Sequence, residues 1–118
     1  MRHAVARVLR GLPEETVDDV LLALDEAVSN AIRHGSSGGR PVDVSVGVQD
    51  GWIDIRVLDR GPTPSLPCLP EGPPRALVTG GRGLWLILQL VDEVRLWRRG
   101  DGTLLWLRRR AWSRAGAA

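Results

Sequence analysis

The chain has 118 residues, 43% apolar and 25% charged, which gives room for one domain with one core. No apolar run approaches ~18 residues, so no segment is expected to span a membrane. All sixteen basic residues are Arg, against a formal charge of only +2, and the absence of Lys excludes Schiff-base chemistry and phosphate loops that end in Lys-Ser/Thr.

Residues 2–10 suggest a short helix, with Val5, Val8 and Leu9 on one side and Arg2, His3, Arg7 and Arg10 elsewhere. This N-terminus carries no signal-peptide pattern. Cys68 is the only cysteine, so no internal disulfide forms, and a reducing cytoplasm fits. Gly11 ends the short helix. Pro13 can then open a second one at a position where its missing N–H costs nothing, followed by Glu14 and Glu15 at the positive end of the dipole.

That second helix is expected over 14–34, with Gly35 as its stop. Val17, Val20, Leu21, Leu24, Val28, Ala31 and Ile32 recur at helical spacing and should face a core. Glu26, Asn30 and His34 form a polar stripe, with Asp19 and Arg33 nearby. Two readings of the stripe are open. It is an ordinary solvated face, or it is a site in which an Asn oxygen holds Mg²⁺ and a Glu one turn away serves as general base.

Ser36-Ser37-Gly38-Gly39 reads as a loop. Val42 to Val48 alternates as a half-buried strand, Asp50-Gly51 is a hairpin turn, and Trp52 to Leu58 alternates on the way back. The return strand runs into Asp59-Arg60-Gly61-Pro62. Residues 62–82 are too rich in Pro for helix or strand. A structureless loop of about twenty residues in so small a domain is commonly a functional lid, and it is read here as a lid over a ligand.

Thr79-Gly80-Gly81-Arg82-Gly83-Leu84 then feeds an apolar helix, Leu84 to Val91. A glycine-rich turn at a helix N-terminus offers N–H groups to an anion, and it is equally a plain turn. Val94 to Arg98 and Thr103 to Arg109 are two more strands, joined through Gly100-Asp101-Gly102. Trp97 and Trp106 are expected to serve core or sheet packing. Seven Arg lie in 95–114, alternating with apolar residues as in a strand and without a nucleic-acid motif, so no direct nucleic-acid partner is expected. Residues 113–118 should be a loose tail.

Three separated elements coincide: Glu26-x-x-x-Asn30-x-x-x-His34 on a helix, Asp59-x-Gly61 ending a strand, and Gly81-x-Gly83-Leu84 opening a helix. Their order and spacing resemble the histidine-kinase-like (GHKL) ATPase superfamily over roughly residues 14–109. At this size the resemblance is to stand-alone anti-sigma-factor serine kinases. It implies an α/β two-layer sandwich: a mixed, largely antiparallel sheet with helices on one face and ATP between helices and lid.

The resemblance also implies roles. Asn30 would hold Mg²⁺ against the ATP phosphates and Glu26 would be the catalytic general base. Asp59 would accept from the adenine amino group, with Gly61 letting the base approach and Thr103 near it. Gly81 and Gly83 would let the backbone wrap the phosphates, with Leu84 beside them in the ATP site and Arg82 as an extra cation. A sigma factor and a small antagonist protein would be the partners, and a homodimer is implied, with Val5, Val8 and Leu9 as a candidate surface. The alternatives are a nucleotide-binding regulatory module without phosphoryl transfer and a detached histidine-kinase catalytic domain. Thr63 stands where the family often has a second Gly, and the edge strand that usually precedes the first helix is missing from the pattern. No second domain with a phosphoacceptor His is expected within these 118 residues, which argues against a complete two-component sensor.

Overall fold

The computed structural model describes residues 1–35, 41–60, 82–99 and 102–113. In chain order these form α1 (Arg2–Val8), α2 (Glu14–Asn30), a π-helix (Ala31–Gly35), β1 (Asp43–Gln49), β2 (Trp52–Asp59), α3 (Arg82–Leu90), β3 (Glu93–Arg99) and β4 (Gly102–Arg110). Gly61, Gly81, Cys68, all of the expected lid before Arg82, and the tail after Ser113 lie outside the described residues.

The strands form one sheet in the order β1-β2-β4-β3, and every described pairing is antiparallel. The β1–β2 hairpin closes on Gln49 opposite Trp52. Both loop residues take positive φ, 53° at Asp50 and 80° at Gly51, the backbone twist that a two-residue hairpin requires. Alternation then sorts the strand residues. Ile53, Ile55 and Val57 of β2 and Leu105 and Leu107 of β4 are buried on one face, joined there by Val94 and Leu96 of β3 and Val44 and Val46 of β1.

All three helices cover that face. Val20, Ala23, Leu24, Ala27 and Ala31 meet Leu84, Ile87 and Val91, so α3 lies along α2. The two-layer sandwich expected from the sequence is the architecture observed. No helix among the described residues is long and apolar enough to cross a membrane.

Three expectations need correction. Pro13 is the residue before the first turn of α2, with φ −54° and ψ 142°, so the helix proper starts at Glu14. The helix is not regular through residue 34. After Asn30 it widens into a π-helix, and Ile32, expected to face the core, is turned out and is 57% exposed. The proposed dimer surface on α1 also dissolves. Val5 and Leu9 are buried in the core and only Val8 is exposed, because α1 packs on α2 and β1.

Buried polar ties lock the far end of the sandwich. Thr16 Oγ1 donates to the Ala111 carbonyl over 2.9 Å. Arg109 is fully buried, and its Nη2 donates to Asp19 Oδ2 at 3.0 Å while Nη1 reaches the carbonyls of Arg110 and Ser113. A guanidinium has five N–H donors in a fixed fork. One side chain therefore fastens the end of β4 to α2.

Candidate functional site

Asn30 is where α2 stops being an α-helix. Its side chain is 1% exposed. Arg33 Nη2 donates to its Oδ1 over 3.1 Å, and its Nδ2 has no hydrogen-bond partner among the described residues. Burying an amide without a partner costs roughly 1–3 kcal/mol, so such a group in a native fold calls for an explanation. A single π turn inside a helix is itself a frequent mark of a functional site. Here the two coincide on the residue that the sequence singles out.

Glu26, one turn earlier on α2, is half-buried, and its carboxylate makes no hydrogen bond or ion pair with a described residue. The two residues singled out by the sequence thus stand one helical turn apart, Asn30 with its oxygen on Arg33 and its nitrogen without a partner among the described residues. The third member of the stripe does not follow the same spacing. The widened turn displaces residue 34 from the α-helical position above Asn30.

Asp59 closes β2 and is 2% exposed. Its register partner on β4 is Thr103, 3% exposed. Directly opposed residues of an antiparallel pair bring their side chains within roughly 5 Å of each other. Two residues 44 positions apart in sequence thus share one buried polar spot. The π-helix packs against β2, which brings the end of α2 to the strand that carries Asp59. Arg60, the next residue, is tied to β1 through Nε and Asp43 Oδ2 at 3.0 Å.

Gly102 is needed for this closeness. A Cβ placed on it would stand 2.4 Å from the Asp59 carbonyl oxygen, which is backbone and cannot swing away. Sequence reading had assigned Gly102 only to a turn.

Arg82 and Gly83 form the first turn of α3, and Leu84 follows. The Leu84 side chain is 1% exposed and belongs to the core, so only its backbone is available to a ligand. Gly61 and Gly81 lie outside the described residues. The structure thus pairs Glu26 with Asn30, pairs Asp59 with Thr103, and joins the two pairs through the contact of the π-helix with β2.

Two participants escaped the sequence reading. Arg33 was noted only as a neighbour, although its i+3 spacing from Asn30 is the available signal. No group of three or more acidic, His or Cys residues that could cage a metal occurs among the described residues. Mg²⁺ bound through one protein oxygen, with water and phosphate completing its shell, is compatible with that.

Comparisons with known proteins point the same way. The family model for the histidine kinase-like ATPase domain matches residues 1–109. Proteins named serine-protein kinase RsbW are similar in sequence. The one from Oceanobacillus iheyensis is 31% identical over 73% of this chain and 61% of its own length. The one from Bacillus licheniformis is 32% identical over 73% and 60%. The chain spans about three fifths of the length of these curated relatives. Among solved structures, the histidine kinase domain of a blue-light activated histidine kinase from Erythrobacter litoralis shares the fold. It has a TM-score of 0.63 at 22% identity, over 93% of this chain and 57% of that one.

Proposed function

The chain belongs to the histidine kinase-like ATPase family, and from that premise we propose that it is a protein serine kinase of the anti-sigma type. In this reading it binds Mg²⁺-ATP, phosphorylates a serine of a small antagonist protein and sequesters a sigma factor. The observation that supports the reading is the buried Asn30 side chain at the end of α2, one helical turn from the Glu26 carboxylate. The serine specificity and the partners rest on the relatives' name and stay with the proposal. A cytoplasmic setting fits both.

When bound, Mg²⁺-ATP supplies the transferable phosphoryl group and the cation that offsets its charge. The protein's residues position and polarise. Asn30 would hold the cation through its amide oxygen, in place of the hydrogen bond that this oxygen accepts from Arg33. Asp59 accepts a hydrogen bond from the exocyclic amino group of adenine, in a spot it shares with Thr103 and that excludes water. Gly61 and Gly81 admit the base and the phosphates. Arg82 and Gly83 present the first backbone N–H groups of α3 to the anion, and Leu84 fixes that turn in the core. Glu26 accepts the proton of the incoming serine hydroxyl on its carboxylate oxygen. General-base removal of this kind is worth about 10²- to 10⁴-fold in rate.

The experiment is Glu26→Gln. Phosphate transfer to protein from γ-labelled ATP should fall by about 10²-fold or more, while calorimetry finds ATP affinity within about twofold of the parent. Equal loss of binding and transfer removes Glu26 from the role of base. Normal ATP binding with no transfer by the parent chain to any protein supports a nucleotide-binding module instead. Phosphoserine is the expected product on the partner, and phosphohistidine identifies a detached histidine-kinase catalytic domain.

A further inference from the structure

The face of the sheet turned away from the helices is built unlike an ordinary solvated face. It carries Trp52 and Arg56 from β2, Arg95 and Trp97 from β3, and Trp106, Arg108 and Arg110 from β4. Three of the chain's five tryptophans are thus on the side without helices. Trp97, 42% exposed, stacks on Trp106 with ring centroids 5.7 Å apart. The Arg56 guanidinium lies 4.8 Å from the Trp106 centroid. Between Arg56, Trp97, Leu104 and Trp106 there is an open depression of about 370 Å³. Leu104 and the two tryptophans make its apolar part, and Arg56 is the cation that lines it.

The charges on this face do not cancel. Asp54 Oδ1 accepts from Arg108 Nε and from Trp106 Nε1, both at 2.9 Å. Glu93 accepts from the same Arg108, at 3.4 Å. Arg108 therefore uses both of these carboxylates, and Asp43 of β1, on the same face, is held by Arg60. Arg56, Arg95 and Arg110 are exposed and have no carboxylate partner among the described residues.

We propose that this depression and the arginines of the same sheet face dock an acidic protein segment, which seats one apolar side chain on Trp97 and Leu104 and lays carboxylates on Arg56 in the depression and on Arg95 and Arg110 along the face. Trp and Arg are the residues that dominate the energy of protein interfaces. Charge complementarity selects the occupant. Against a second copy of this face, the unpaired guanidinium groups would meet one another, and like charges across an interface cost several kcal/mol. A single-stranded nucleic acid needs open ring faces to stack on. Trp106 is already covered by Trp97 and Arg56, and Trp52 by Arg108 and Arg110 at 4.5 and 5.5 Å. The proposal stands apart from the kinase reading, since none of these residues belongs to the nucleotide site.

The test pans a display library of random dodecapeptides on the full chain and measures the selected peptides by calorimetry. Enrichment of sequences with Asp or Glu flanking Leu, Ile or Phe is expected. Arg56→Glu and, separately, Trp97→Ala should each weaken those peptides at least about tenfold. Trp112→Ala, at an exposed position elsewhere, should leave them unchanged. An unaltered urea midpoint shows that each variant folds. The proposal is overturned by enrichment without acidic residues, by no enrichment, or by binding that survives both substitutions. Tighter binding of an oligo-dT probe, lost in the same variants, assigns the face to nucleic acid. Self-association that Trp97→Ala abolishes assigns it to a second copy. Either result also overturns the proposal.

Discussion

Two buried polar side chains at different places in the sandwich invite comparison. Arg109 is fully buried and Asn30 nearly so, and each leaves one nitrogen without a partner, Nε in the first and Nδ2 in the second. There the likeness ends. Arg109 engages Asp19 and two backbone carbonyls through its outer nitrogens, so its charge is matched and its position over-determined. Asn30 has one hydrogen bond, to the flexible head of Arg33, and stands where the helix widens. The first arrangement resists change. The second leaves hydrogen-bonding capacity that the described residues do not fill. A polar group's burial alone does not identify a site; the share of its hydrogen-bonding capacity that the protein itself fills is the better guide.

The largest effect should come from Arg109→Met. It leaves Asp19 and two carbonyls without their donor, and breaking a buried pair from one side costs about 3–5 kcal/mol. Asp19 keeps some access to water, which favours the lower part of that range. Urea unfolding should show the loss, and adding Asp19→Leu to Arg109→Met should recover much of it. If the single variant unfolds like the parent, Arg109 is not the clamp described here.

Asn30→Ala should do the reverse. Mg²⁺-dependent ATP binding, measured by calorimetry, should fall by about 10²-fold. Stability should change by no more than about 1 kcal/mol, because the substitution deletes an unsatisfied group together with one weak bond. A large loss of stability with ATP binding intact would make Asn30 a structural residue like Arg109.

Arg33→Met should give the smallest change and the most diagnostic one. Removing the cation frees the Asn30 oxygen, and a hydrogen bond worth about 0.5–1.5 kcal/mol no longer competes with the ligand. Mg²⁺-ATP should bind about two- to tenfold more tightly. Weaker binding would mean that Arg33 contacts the nucleotide itself.

Most of the fold could be read from alternation and turns. Ile53, Ile55 and Val57 declare the buried face of β2 by themselves, and Asp50-Gly51 announces a hairpin because few other pairs accept positive φ twice. The Glu26–Asn30 spacing was equally open to inspection. The widening after Asn30 was not. One turn of π-helix differs from α-helix by a single residue, and the apolar stripe through Ala31 and Ile32 is too short to reveal the change of period. The pairing of Asp59 with Thr103 depended on strand order, which local pattern does not encode. Arg109 shows the limit from the other side. Alternation put it on the core face with Leu105 and Leu107, but only the position of Asp19 on α2 makes an inward arginine tolerable. Trp106, expected to serve core or sheet packing, stands outward with Arg108, and its stacking on Trp97 depends on the register of β3 on β4.

The contact between Gly102 and the Asp59 carbonyl carries a consequence for genetics. A side chain of any size at residue 102 must push the end of β2 aside, and with it the residue assigned to adenine. A screen for alleles that lose nucleotide binding should therefore recover lesions at codon 102 beside those at codons 30 and 59. Suppressors of such an allele should map to the neighbouring backbone of β2 rather than to any group that touches the ligand. An inherited defect in this strand pair would look catalytic in every assay of function while its cause was the space between β2 and β4.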